Sequence, residues 1–184
     1  MLYILGGASR SGKTLLARRA VSEKQIPYFP LDSLFYALVH GAPELALKYR
    51  QSFTERPEKL WPVSSKILEF FSQEERDFLI EGDSLLPSQI HQLVSQGIQL
   101  KSCFLGYQGL TKEEKLVLVR THHQGDIDWT RGIPDEKLLL DIEDMIKFSK
   151  YLNEECAKYG VAYFDVSHDF EGKRNSAYGY LFDE

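Results

Sequence analysis

The chain has 184 residues, enough for one domain with a substantial core, and its 43% hydrophobic and 27% charged composition is that of an ordinary globular protein. A formal charge of -5 and a pI near 5.6 argue against a general nucleic-acid binder, which needs a surplus of Lys and Arg on one face. No run of about 20 apolar residues exists to span a bilayer, no signal peptide precedes an apolar run that begins at Leu2, and Cys103 and Cys156 form no C-x-x-C pair. These exclusions leave a cytoplasmic protein that works on a small molecule, without membrane or nucleic-acid partner; nothing in the sequence specifies an oligomeric state.

Leu2-Tyr3-Ile4-Leu5 predicts a first strand, and directly behind it lies Gly6-Gly7-Ala8-Ser9-Arg10-Ser11-Gly12-Lys13-Thr14. This stretch fits G-x-x-x-x-G-K-[ST], the Walker A pattern, with Gly7 and Gly12 as its glycines. Glycines let the backbone curl around a phosphate with its N–H groups turned inward, so Gly7, Ala8, Ser9, Arg10, Ser11, Gly12, Lys13 and Thr14 are the expected nucleotide-binding residues. Lys13 supplies a cation for the β- and γ-phosphates and Thr14 a hydroxyl for Mg²⁺, at the N-terminus of a helix whose dipole favours anions. That helix is predicted from the apolar stripe Leu15, Leu16, Ala17, Ala20 and Val21.

Residues 26–31 then read as a short strand at or near a sheet edge, because prolines stand at positions 27 and 30. Asp32 falls at its C-terminal tip, the ligand-facing edge of an open α/β sheet, and also stands where it would cap the next helix. Residues 41–74 predict a helical insertion, with Pro43 and Pro57 placed for first helical turns. It carries Arg50 and Arg56, which would meet an anionic acceptor or remain as solvated surface charge. Phe78-Leu79-Ile80 reads as a central strand covered on both faces, ending in Glu81-Gly82-Asp83, two carboxylates suited to holding Mg²⁺ through water and orienting an acceptor.

A helix over 88–96, a strand over 98–106 and a helix opened by the capping box Thr111-x-x-Glu114 follow. The segment 120–134 is rich in turn formers, has glycines at 125 and 132, and is bordered by Arg120 and Arg131; it reads as a lid-like flap whose arginines would neutralise a transferring phosphoryl group. His122 and His123 are adjacent and lack a third ligand nearby, which excludes a zinc site. Asp135 is expected to cap a long helix to Tyr159, stopped by Gly160, before a last strand over 161–166, a polar loop over 167–176 and an aromatic tail. Strand and helix alternate throughout, predicting a three-layer α/β domain over 1–184 with about five parallel strands and helices on both faces.

With these motifs in place, the chain resembles the P-loop kinases of the nucleoside-monophosphate-kinase type, related to adenylate kinase, over essentially its full length. The Walker A stretch, the Asp after strand two, the helical acceptor region, the Arg-bearing flap and Glu81-Gly82 carry the resemblance. It implies ATP and Mg²⁺ as cofactors and a small-molecule acceptor phosphorylated on a hydroxyl or phosphate. Asp32 would orient the acceptor and act as base, Glu81 or Asp83 would serve the metal with Thr14, Arg120 or Arg131 would act from the flap, and the 167–174 loop would lie near adenine. The competing expectation is a nucleotide-binding regulatory protein that keeps the cradle but has no acceptor. A GTPase is excluded by the absence of N-K-x-D.

Overall fold

The computed structural model describes residues 1–49, 51–122 and 128–183. Five strands form a wholly parallel sheet in the order β2-β3-β1-β4-β5: β1 (Leu2–Gly7), β2 (Tyr28–Pro30), β3 (Phe78–Glu81), β4 (Leu100–Gly106) and β5 (Ala162–Asp165). β1 lies at the centre, with Leu5 opposite both Glu81 on β3 and Cys103 on β4. The three central strands are the most apolar and the most buried, and β2, the strand that contains proline, is at one edge, where a missing N–H leaves no gap in the ladder.

The described residues also form seven α-helices: α1 (Lys13–Lys24), α2 (Leu31–Gly41), α3 (Glu55–Ser72), α4 (Pro87–Ser95), α5 (Lys112–Thr121), α6 (Asp135–Tyr159) and α7 (Phe170–Phe182). α6 is the longest; it buries Leu138, Ile142, Met145, Phe148, Leu152 and Cys156 against β4, β5, α4 and α5, and ends at Gly160 with φ 67°. α1 and α7 lie side by side, joined by Arg19 Nη1 donating to Asn175 Oδ1 at 2.8 Å and by the Arg19 guanidinium 3.9 Å from the Tyr178 ring. Cys103 and Cys156 are buried free thiols, with pKa values raised by desolvation, as expected for core cysteines.

Several elements depart from the sequence reading. The expected polar loop over 167–176 and its aromatic tail form instead the single helix α7, capped by the Asp169 side chain, which accepts from the Gly172 N–H at 2.9 Å. Gly172, Asn175 and Gly179 give that segment poor helix propensity, which is offset by burying Ala177, Tyr178 and Leu181. On α1 the buried face is Lys13, Leu16, Ala17 and Ala20, leaving Leu15 and Val21 exposed, and on α5 it is Lys115 and Val119, leaving Val117 and Leu118 exposed. Asp135 does not cap α6; Pro134 holds the cap position and Asp135 turns to Arg120. The insertion over 41–74 contains one short 3-10 turn (Pro43–Leu45) and α3 rather than continuous helix.

Candidate active site

The loop between β1 and α1 has the backbone its glycines dictate. Gly7 has φ 137°, and a Cβ there would stand 2.1 Å from the Leu105 carbonyl oxygen; Gly12, with φ 94°, begins α1, and a Cβ there would stand 2.8 Å from the Phe170 ring. No acidic residue occupies the first turn of α1, so its N–H groups and dipole face the loop without competition. The Ser11 hydroxyl is buried with no partner among the described residues, and the Lys13 ammonium donates to the Ala8 carbonyl at 2.8 Å. An orphaned donor, a lysine bonded only to the loop's own backbone and a helix N-terminus without an acid form a donor set that fits phosphate oxygens.

Two side chains from outside the loop and one of its own, none specified by the motif, fix its position. Tyr107, just beyond β4, donates its hydroxyl to the Ser9 carbonyl at 2.7 Å. Lys115 on α5 donates to the Arg10 carbonyl at 2.9 Å, with its ammonium 3.6 Å from the Tyr107 ring centroid; burial, with Arg10 and Lys13 nearby, pushes its pKa down to about 7. Arg10 itself adopts φ 62° and turns away from the loop: its Nη1 meets Asp128 at 2.9 Å and its Nη2 donates to the carbonyls of Val119 and His122. The Arg10 and Asp128 side chains are 5% and 1% exposed, so the ion pair is sheltered from solvent. Arg10 therefore ties the loop to residues on both sides of the 123–127 segment.

Asp32, Glu81 and Asp83 converge beside the loop, because β2, β3 and β1 are successive parallel neighbours that end on the same side of the sheet. Glu81 is 3% exposed and accepts from the Thr14 hydroxyl at 3.4 Å. Burial raises its pKa, opposed by Lys13 and the Thr14 hydrogen bond. Asp32 sits in the first turn of α2 without making a side-chain cap. The neighbouring Asp83 charge, followed by burial, pushes its pKa from 3.8 to about 8, against the opposing pull of Lys13. Asp83 is held by Arg56 at 3.3 Å. The donor set of one threonine hydroxyl and nearby carboxylates suits Mg²⁺, which keeps several waters and takes few protein ligands; no cluster of three or more metal-binding side chains occurs among the described residues.

These groups open onto one cavity of about 1050 Å³. Ser9, Arg10, Gly12, Lys13, Thr14, Asp32, Glu81 and Asp83 line one side of it, and Phe35, Tyr49, Phe53, Arg56, Trp129 and the face of α6 around Asp141 line the other. Arg56 is thus part of the site rather than solvated surface. It donates to the Tyr49 carbonyl at 3.2 Å and its guanidinium lies 4.9 Å from the Phe35 ring centroid. Arg56→Ala leaves Asp83 without its ion-pair partner beside two other carboxylates, and is expected to cost about 3 kcal/mol in chemical denaturation; Arg56→Ala combined with Asp83→Asn should recover most of that loss.

The sequence-predicted flap arginines are placed elsewhere. Arg120 lies outside the cavity lining and is consumed in a clasp: Nε donates to Asp135 at 2.9 Å, Nη1 to the Thr130 carbonyl at 3.0 Å, and Nη2 to Asp135 at 2.7 Å and to the Ile133 carbonyl. Arg131 is exposed and also outside the lining. Gly125 and His123 lie outside the described residues, as does Arg50.

No family model matches the sequence and no curated relative is detected by it. Solved structures do match in shape. A shikimate kinase from Bacteroides thetaiotaomicron superposes with a TM-score of 0.53 at 18% identity, over 97% of this chain and 94% of that one. A gluconokinase from Sinorhizobium meliloti gives a TM-score of 0.58 at 17% identity, over 97% and 90%. This chain shares its fold with these two kinases. An uncharacterized protein from Eubacterium ventriosum matches with a TM-score of 0.50 at 16% identity, over 100% of this chain and 99% of that one.

Within this fold, the features least visible in the sequence are the supports of the loop. Lys115 and Tyr107 carry no motif; the one clue is a lysine at an apolar helix position, five residues before Arg120. Arg120→Ala is expected to lower stability by about 1–2 kcal/mol in thermal melting, through the lost clasp.

Proposed function

We propose that the protein is an ATP-dependent small-molecule kinase, transferring the γ-phosphoryl group of Mg-ATP to a hydroxyl of a small acceptor. The observation that carries this reading is the convergence of Lys13, Thr14, Asp32, Glu81 and Asp83 on one cavity large enough for a nucleotide and an acceptor together. A nucleotide-binding regulator needs the loop but has no use for Asp32 beside it. The two kinases named above, of the same fold, support the reading at the level of reaction class.

Lys13 and the N–H groups at the start of α1 take the phosphates, and Ser11 adds a donor that now has no acceptor. Thr14 and Glu81, with Asp83 close by, are the residues that would hold Mg²⁺. When bound, the metal neutralises the charge shared by the β- and γ-phosphate oxygens. Asp32 takes the proton of the attacking hydroxyl as its oxygen bonds to the γ-phosphorus and the bond from that phosphorus to the bridging oxygen breaks, leaving ADP. Its raised pKa makes it a stronger base than an ordinary carboxylate. Positioning and charge neutralisation supply most of the rate.

The test is Mg²⁺-dependent ADP formation by the purified protein across a panel of nucleosides, vitamins and sugar acids, with Lys13→Ala as the blank. Acceptor-dependent turnover absent from the blank supports a kinase; nucleotide binding with no response to any acceptor would favour the regulatory alternative.

A further inference from the structure

Behind the phosphate loop, two side chains hold two consecutive peptide groups. Tyr107 donates its hydroxyl to the Ser9 carbonyl at 2.7 Å, and Lys115 donates its ammonium to the Arg10 carbonyl at 2.9 Å. Ser9 and Arg10 line the cavity but Tyr107 and Lys115 do not, so both carbonyls are drawn to the side of the loop away from it. A trans peptide points its C=O and its N–H in opposite directions. Holding the Ser9 carbonyl therefore turns the Arg10 N–H toward the cavity, and holding the Arg10 carbonyl does the same for the Ser11 N–H. Neither N–H has a partner among the described residues. Arg10 takes φ 62°, the left-handed conformation that makes successive N–H groups an anion-binding concavity and that a non-glycine residue keeps only where its surroundings hold it.

A lysine is a costly way to hold a carbonyl. Lys115 is 5% exposed and has no carboxylate partner among the described residues; its ammonium lies against the Tyr107 ring. The charged groups that face it are Arg10 and Lys13 of the loop, both of its own sign. Asp128 pairs with Arg10, and Glu143 of α6, which packs on α5, pairs with Lys112 one turn away. A hydroxyl or an amide would make the same hydrogen bond without burying a charge. The ammonium instead adds a third cation beside Lys13 and Arg10, at the place where phosphate charge would enter.

We propose that Lys115 and Tyr107 are positioning residues for the nucleotide phosphates: together they aim the Ser11 and Arg10 N–H groups into the cavity, and the Lys115 ammonium attracts the phosphates from behind the loop. This rests on the nucleotide-binding half of the kinase reading above. Neither is a catalytic residue, since the loop stands between them and the phosphates. Burial and the two neighbouring cations bring the Lys115 pKa down to about 7; bound phosphates favour its charged form and raise that value, so binding takes up a proton. The affinity that the charge contributes is present below about pH 7 and is lost as pH rises through the raised value.

The test measures the dissociation constant of Mg-ATP by calorimetry, with no acceptor present, across the neutral and mildly alkaline range for wild type, Lys115→Met and Tyr107→Phe. Lys115→Met keeps the length of the side chain and removes its charge and donor. It is expected to weaken binding by about 30-fold at about pH 6.5 and by only about threefold at about pH 9. Tyr107→Phe removes one of the two holds and keeps the ring beside Lys115; it is expected to weaken binding by about fivefold at every pH. Asp32 and Glu81 also have raised pKa values, but all three proteins share them and their titration cancels in the ratios. Wild-type affinity in both variants overturns the proposal and leaves the kinase reading standing; so does a Lys115→Met loss that is constant across the pH range. Should Lys115→Met fail to fold, Tyr107→Phe decides alone, and an unchanged affinity there overturns the proposal. A wild-type protein that binds no Mg-ATP overturns the kinase reading and this proposal together.

Discussion

Lys13→Ala lowers the rate of phosphoryl transfer by about 1,000-fold or more. The side chain is 6% exposed, lies in the turn that begins α1, and holds its charge through a hydrogen bond to the Ala8 carbonyl that a phosphate oxygen can replace. Removing it takes away a buried cation from the place where negative charge develops, and also removes a charge that opposes the rise in the pKa values of Asp32 and Glu81. The variant therefore has two defects of one origin: weaker stabilisation of the transferring group and neighbouring carboxylates that hold protons more tightly. Single-turnover kinetics with saturating nucleotide measures the first, and thermal melting in parallel separates it from any loss of fold.

Asp32→Asn has opposite effects on activity and stability. Transfer falls by about 100- to 10,000-fold, the range for loss of a positioned general base. The folded protein without ligands becomes more stable. In the native state Asp32 titrates well above its ordinary 3.8, chiefly because Asp83 is beside it and the site is buried. Between that ordinary value and the raised one the native state binds more protons than the unfolded chain, so this residue lowers stability as pH rises through the window and contributes nothing below it. Asparagine removes the penalty. Melting curves should show the variant ahead of wild type by about 1–3 kcal/mol at pH 8.5, or roughly 3–10 °C for a domain of this size, with the gap closing toward pH 4. Equal melting temperatures across the range would mean that Asp32 is not in the electrostatic competition described here.

The parts of this protein that were legible in the sequence are those where a local pattern has one physical solution. Gly7 and Gly12 adopt positive φ where the spacing of the loop demands it, and Thr111 and Glu114 close a reciprocal cap on α5. The parallel order of the strands follows from alternation with helices, and Phe78-Leu79-Ile80 is buried as its unbroken apolar run requires. What was hidden depends on contacts distant in sequence. The ion pair between Arg10 and Asp128 joins residues 118 apart, and Lys115 reaches the Arg10 carbonyl across 105. Arg56 reads as surface charge until Asp83, 27 residues later, is seen to face it. α7 escaped because its glycines and asparagine speak against helix, while the tertiary burial that overrides them leaves no periodic signature.

The segment over 120–134 shows the same division. Its turn-forming composition is local and readable, whereas the direction of Arg120 is set by Asp135 and by carbonyls at Thr130 and Ile133, which together outcompete any pull toward the cavity in this conformation. Among the described residues, no helix is long and apolar enough to cross a membrane.

The most direct measurement of the central claim follows the γ-phosphorus itself. ATP labelled at that position is incubated with the protein, Mg²⁺ and an acceptor mixture, and the label is resolved into organic phosphate ester and inorganic phosphate. A kinase built on Lys13 and Asp32 delivers the label to an acceptor hydroxyl, and both Lys13→Ala and Asp32→Asn remove that product. Label recovered only as inorganic phosphate, or an ester yield unchanged by Asp32→Asn, would contradict it.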